Sequence, residues 1–138
     1  DIFTVQEIKK RSINNLLICW IGDSNNVLNS LIAASVKFSF PLNIGCPKKY
    51  RPKKKIIEWA IKNNAKINIF YNAKDAAKNA DVVFTDKVIS LNDNVNKIKK
   101  LKDFKNFKID NKLMSYTKKN SIFLIKLYST NWTTFIQI

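Results

Sequence analysis

The chain contains no histidine, and only two glycines and two cysteines in 138 residues. Without histidine it cannot build a Ser-His-Asp triad, a Cys-His nucleophile pair or most zinc sites. Gly22 and Gly45 are too few for a P-loop or a G-x-G-x-x-G nucleotide fingerprint. Cys19 and Cys46 lack metal-binding spacing. Each falls at the end of a predicted strand, where a reduced thiol fills core space. No metal and no cofactor is therefore expected. No apolar run approaches the roughly 20 residues that cross a bilayer, and acidic Asp1 begins no signal peptide. The expected setting is soluble and cytoplasmic, with no membrane partner.

Arginine is scarce as well, with only Arg11 and Arg51 among the 25 basic residues that set a formal net charge of +15. Such a charge invites a nucleic-acid reading. Groove and phosphate recognition, however, recruits planar arginine forks rather than isolated lysines. The lysines are spread over every segment together with asparagine and isoleucine, as in proteins from AT-rich genomes. Runs such as Lys53-Lys54-Lys55 and Lys97 with Lys99-Lys100 read as solvated helix faces, so nucleic acid is not the expected partner. Hydrophobic residues make up 46% and aromatics 12%, enough for one domain with a real core.

Along the chain, apolar runs alternate with helical periodicity. Strands are predicted at Leu16 to Ile21, Leu42 to Cys46, Ile67 to Tyr71, Asp81 to Thr85 and Ser121 to Leu127. Helices are predicted at Asp1 to Lys10, Asn25 to Phe38, after Pro52, Lys74 to Asn79, Val95 to Phe104 and Asp110 to Tyr116. This alternation implies an α/β fold, an open parallel doubly wound sheet of about five strands with helices on both faces. Ligand-binding groups on such a sheet gather at the carboxyl ends of the strands. There Gly22 turns the first strand into a helix, with Asn25 and Asn26 beside its free N–H groups. Asp86 ends the fourth strand, with Ser90 four residues on. A carboxylate and a hydroxyl there could hold an α-ammonium group, while Asn26 could donate to an α-carboxylate. A capping aspartate and a solvated serine would leave the same spacing.

The segment Ile21-Gly22-Asp23-Ser24-Asn25-Asn26-Val27-Leu28-Asn29-Ser30 resembles the G-D-x-N-N-x-x-x-S motif of ornithine carbamoyltransferases. Thr85, Asp86, Ser90 and the near-match Leu91 fall on that family's T-D-x-W-x-S-M-G segment. Asp1-Ile2-Phe3-Thr4 to Glu7 is similar to its D-L-x-T-x-x-E opening. Cys46-Pro47-Lys48-Lys49-Tyr50-Arg51-Pro52 is similar to T-P-K-G-Y-x-P. The resemblance covers residues 1 to about 124 and concerns the ornithine-binding domain, here the whole of 1–138. It implies that Asn26, Asp86, Ser90 and the Leu91 backbone contact the amino and carboxylate groups of L-ornithine. Asp86 would also orient the δ-amine for attack on carbamoyl phosphate.

Three departures set expectations. Val88 replaces the loop tryptophan, and Asn92 replaces the glycine that lets the family's loop close over substrate. Residues 125–138 leave the family pattern, and Lys126 stands where the family's H-C-L-P places its cysteine. No S-T-R-T-R segment is present, and H-P-x-Q is impossible without histidine. The carbamoyl-phosphate domain is thus missing from these residues, and no catalytic set is intact. The expected function is the ornithine-binding domain of an ornithine carbamoyltransferase, an enzyme of arginine biosynthesis. Split off or decaying, it would be inactive alone and would bind ornithine weakly. The alternatives are a non-catalytic module docking onto a separately encoded carbamoyl-phosphate domain, or a basic nucleic-acid-binding protein. The aspartate-using sibling fits less well, since it would offer basic residues to a side-chain carboxylate.

Overall fold

In the computed structural model, residues 2–86 and 97–126 are described in full, and 132–136 through their backbone. One six-stranded sheet organises the chain. Its strands are β1 (Ile18–Ile21), β2 (Leu42–Gly45), β3 (Ile67–Phe70), β4 (Val82–Asp86), β5 (Ile122–Lys126) and β6 (Trp132–Ile136), in the order β3-β2-β1-β4-β5-β6. The first five are parallel, as the alternation of patterns requires. β6 adds an antiparallel edge, pairing Lys126 with Trp132 and Ile122 with Ile136. It lies wholly beyond Leu127, where no strand was expected.

The helices are α1 (Ile2–Lys9), α2 (Asn26–Phe38), α3 (Lys54–Lys62), α4 (Ala73–Ala77), α5 (Lys97–Asp103) and α6 (Asn111–Met114). Strand side chains alternate between faces, and β1 feeds two cores in turn. Ile18 and Trp20 join Val82, Phe84 and Leu124 beneath Leu28 and Ile32 of α2 and Ala60 of α3. Cys19 and Ile21 join Val83 on the other face, under Ala73, Ala76 and Ala77 of α4 and Leu113 and Met114 of α6. This is the doubly wound arrangement. Both cysteines are free and buried, and burial pushes the Cys46 thiol up to about 11.

The edge of the sheet opposite the candidate site is tied by Asp81, which is only 2% exposed. Its carboxylate accepts from the Leu17 N–H at 2.8 Å and from the Lys118 ammonium at 3.3 Å, with Arg11 at 3.7 Å. A carboxylate at that depth is tolerated because it is both paired and hydrogen-bonded.

Gly45 marks the tightest approach between layers. A Cβ there would lie 2.7 Å from Ile21 Cδ1 and 2.8 Å from Ala76 Cβ, both in the closed core of α4 against the sheet. Gly45→Ala is expected to lower stability by about 1–3 kcal/mol, the usual cost of overpacking. Urea denaturation followed by circular dichroism checks this; an unchanged midpoint would mean that α4 shifts freely.

Candidate functional site

The order of strands reverses between β1 and β4, so the chain leaves these neighbours toward opposite sides and opens a crevice at their carboxyl ends. β1 exits through Gly22, at φ +151°, a conformation that L side chains rarely adopt. Its N–H donates to the Gly45 carbonyl at 3.1 Å. Thr85, on β4, closes the crevice floor by donating its hydroxyl to the Ile21 carbonyl at 2.6 Å. The turn from Gly22 to Asn25 is therefore held to both flanking strands.

Asn25 has two tasks. As the N-cap of α2 its side-chain oxygen accepts from the Leu28 N–H at 3.1 Å. Its amide nitrogen donates to Asp86 Oδ2, also at 3.1 Å. The helix start and the end of β4 are thereby joined across the crevice, and the carboxylate is oriented by an amide rather than left free. Asn26 occupies the first turn of α2 and is exposed. It lines an open cleft of about 300 Å³ with Ile2, Trp20, Val27, Ser30, Leu31, Ala34, Phe84 and Lys126. Ser30 donates to the Asn26 carbonyl at 3.0 Å.

Asn26, Asp86 and Lys126 thus share one edge of the sheet, and Asp86 and Lys126 are direct partners in the β4–β5 register. Ser90 and Leu91, with Val88 and Asn92, lie outside the described residues. Among the described residues no group of His, Cys, Asp and Glu side chains could hold a metal ion. Among the described residues no helix is long and apolar enough to cross a membrane.

Several residues that position the site escaped the sequence reading. Trp20 forms the cleft floor, and its indole N–H donates to the Asp23 carbonyl at 3.2 Å. Asp23 accepts from the Lys100 ammonium of α5 at 2.8 Å, in a pair whose side chains are only 9% (Lys100) and 19% (Asp23) exposed. Ser24 donates to the Tyr50 carbonyl, while the Tyr50 hydroxyl donates to Asp103 at 2.9 Å and its ring packs on Phe104 at 4.8 Å. Hydrogen bonding to Asp103 and burial push the Tyr50 phenol above its usual range, burial being the larger cause. The N-cap spacing announces Asn25. Lys100, expected on a solvated helix face, is instead buried at 7% exposure against Asp23, since nothing in a lysine-rich stretch singles it out.

Breaking a buried pair strands the surviving charge, so Lys100→Met is expected to cost about 3 kcal/mol. It should also loosen the Gly22–Asn25 turn. Thermal unfolding with hydrogen exchange at residues 22–28 reads both effects. A stability loss without faster exchange there would show that Lys100 does not hold the turn.

A family model described as aspartate/ornithine carbamoyltransferase, Asp/Orn binding domain, matches residues 14–127. The anabolic ornithine carbamoyltransferase of Campylobacter jejuni is 37% identical over 128 residues, covering 90% of this chain and 42% of the relative. The ornithine carbamoyltransferase of Methanosarcina acetivorans is 34% identical over 122 residues, covering 88% of this chain and 40% of the relative. Among solved structures, the C. jejuni anabolic enzyme superposes with a TM-score of 0.84 at 35% identity, over 95% of this chain and 45% of that one. The Pyrococcus furiosus enzyme gives 0.80 at 26% identity, over 93% and 42%. The chain therefore spans less than half the length of these relatives.

Proposed function

The chain belongs to the aspartate/ornithine carbamoyltransferase family, matching its Asp/Orn-binding domain, and from that premise we propose that it is the amino-acid-binding half of a carbamoyl transfer. The acceptor is ornithine in the named relatives. In this chain the α-ammonium of an amino-acid ligand meets the Asp86 carboxylate and its α-carboxylate meets the Asn26 amide. Ser90 and the Leu91 backbone complete the clamp from the segment after Asp86. The observation that carries this reading is the 3.1 Å contact of Asn25 with Asp86, which joins the two motif segments at the crevice. An isolated carboxylate at a strand end would wander; one held by an amide offers its remaining lone pairs in a fixed direction.

Carbamoyl transfer also requires a site for a phosphate dianion, whose developing charge is stabilised by preorganised cationic donors. Arg11 is tied to Asp81 at the far edge of the sheet. Arg51 donates to the Lys48 carbonyl. These 138 residues therefore supply no arginine cluster for that dianion, and the chain taken by itself is an acceptor-binding domain without turnover. A second reading keeps the same cleft and brings carbamoyl phosphate on a separate chain. It is favoured by the described residues forming two buried cores of their own, one on each face of the sheet.

Purified chain given ornithine and carbamoyl phosphate should form no citrulline above a protein-free control. Under the second reading, adding a carbamoyl-phosphate domain from one of the named relatives would restore it. Binding of L-norvaline, which keeps the α-groups and lacks a side-chain charge, should weaken at least tenfold in Asp86→Asn. Truncating one partner of such a pair costs about 2 kcal/mol or more. Calorimetric titration decides, and equal affinity in parent and variant would remove Asp86 from the clamp.

A further inference from the structure

Among the described residues lining the cleft, Lys126 is the one that carries a charge. Six of the other lining residues are apolar: Ile2, Trp20, Val27, Leu31, Ala34 and Phe84. Its side chain is half-buried, and its ammonium has no hydrogen-bond or ion-pair partner among the described residues. Asp86, its partner in register, directs a carboxylate oxygen to the Asn25 amide, and no ion pair joins Asp86 to Lys126. The first turn of α2, which borders the same cleft through Asn26 and Val27, adds the partial positive charge of a helix start.

A cleft of this make-up has a defined complement. Its walls desolvate an aliphatic chain. An ammonium group brought to the Lys126 end meets a like charge in a partly dehydrated space, where repulsion is far less screened than in water. A carboxylate brought there gains a charge-assisted hydrogen bond that nothing in the described protein supplies to Lys126.

We propose that Lys126 selects the ligand of this cleft, an aliphatic carboxylate seated with its anionic end on the lysine ammonium and its chain along the partly exposed Ile2, Val27 and Ala34 side chains. A ligand that ends in an ammonium group is turned away. The assignment deepens the reading above and rests on it only in taking this cleft as the acceptor site. For an amino acid held at Asp86, the favoured side chain ends in an acceptor and the disfavoured one in a cation, the reverse of a diamino acid.

Two probes of equal length and opposite charge, n-pentanoate and n-pentylammonium, test the selection without involving the α-group clamp. Chemical-shift titration of the full chain should show pentanoate moving the Val27 and Ala34 methyl signals, with pentylammonium at least tenfold weaker. In Lys126→Gln the preference should vanish, through weaker pentanoate and stronger pentylammonium binding. Lys126→Arg should restore it. Equal binding of the two probes, no binding of pentanoate, or an unchanged preference in Lys126→Gln would each overturn the proposal. The norvaline titration separates this result from the fate of the clamp. Norvaline binding that ignores Asp86 removes the clamp and leaves the charge selection standing. Norvaline binding that needs Asp86, with no pentanoate preference, does the opposite.

Discussion

β1 pairs in parallel with β2 on one side and β4 on the other, and its four residues are buried on both faces. Every residue of Ile18–Ile21 is 0% exposed. A strand so enclosed can leave the sheet only at its end, and the reversal of order there leaves a gap between the chains departing from β1 and β4. The gap needs backbone conformations and side chains that a regular element does not supply. Gly22 provides the first at φ +151°. Asn25 provides the second, capping α2 with its oxygen and reaching Asp86 with its nitrogen. The crevice is thus a consequence of burial. Which groups line it is a matter of a few residues at fixed offsets from the strand ends.

Much of this could be read from the residues. A fully buried parallel strand needs a continuous apolar run, and Leu16 to Ile21 and Asp81 to Thr85 announced β1 and β4 within a residue or two. The α2 start was legible because Asn25 and Asn26 follow glycine directly before helical periodicity. What was hidden has physical reasons. Asn25 and Asn26 are chemically identical in sequence, and only the backbone angle at the N-cap decides which one turns back to Asp86. Lys100 lies in a run of lysines, and its burial against Asp23 depends on how α5 docks rather than on any local pattern. β6 could not be foreseen because antiparallel edge pairing has no helical crossover to mark it.

The family relationship, spread over residues 14–127, extends to one residue past Lys126. Fold and site chemistry separate here. The register of β5 on β4 depends on backbone hydrogen bonds and on Ile122 and Leu124 in the core, and it tolerates any side chain at the strand's last residue. Lys126 therefore costs the sheet little, since its ammonium stands at the open end rather than in the core.

Under the proposed role of Lys126, this residue sets the field inside the cleft. A neutral group at the end of β5 leaves Asp86 as the dominant charge at this edge, a field that favours cations. Lysine in that place puts a second charge of opposite sign on the adjacent strand, so the edge becomes a dipole rather than an anionic well. Such an edge orients zwitterions, with the ammonium toward β4 and the carboxylate toward β5. Its preference among ligands is set by where their charges fall along the sheet rather than by their net charge. A formal net charge of +15 on the whole chain raises the concentration of anions around it. Salt screens that effect over about 8–10 Å, so under the proposed reading the local charges at the ends of β4 and β5, paired in register, outweigh it at the cleft.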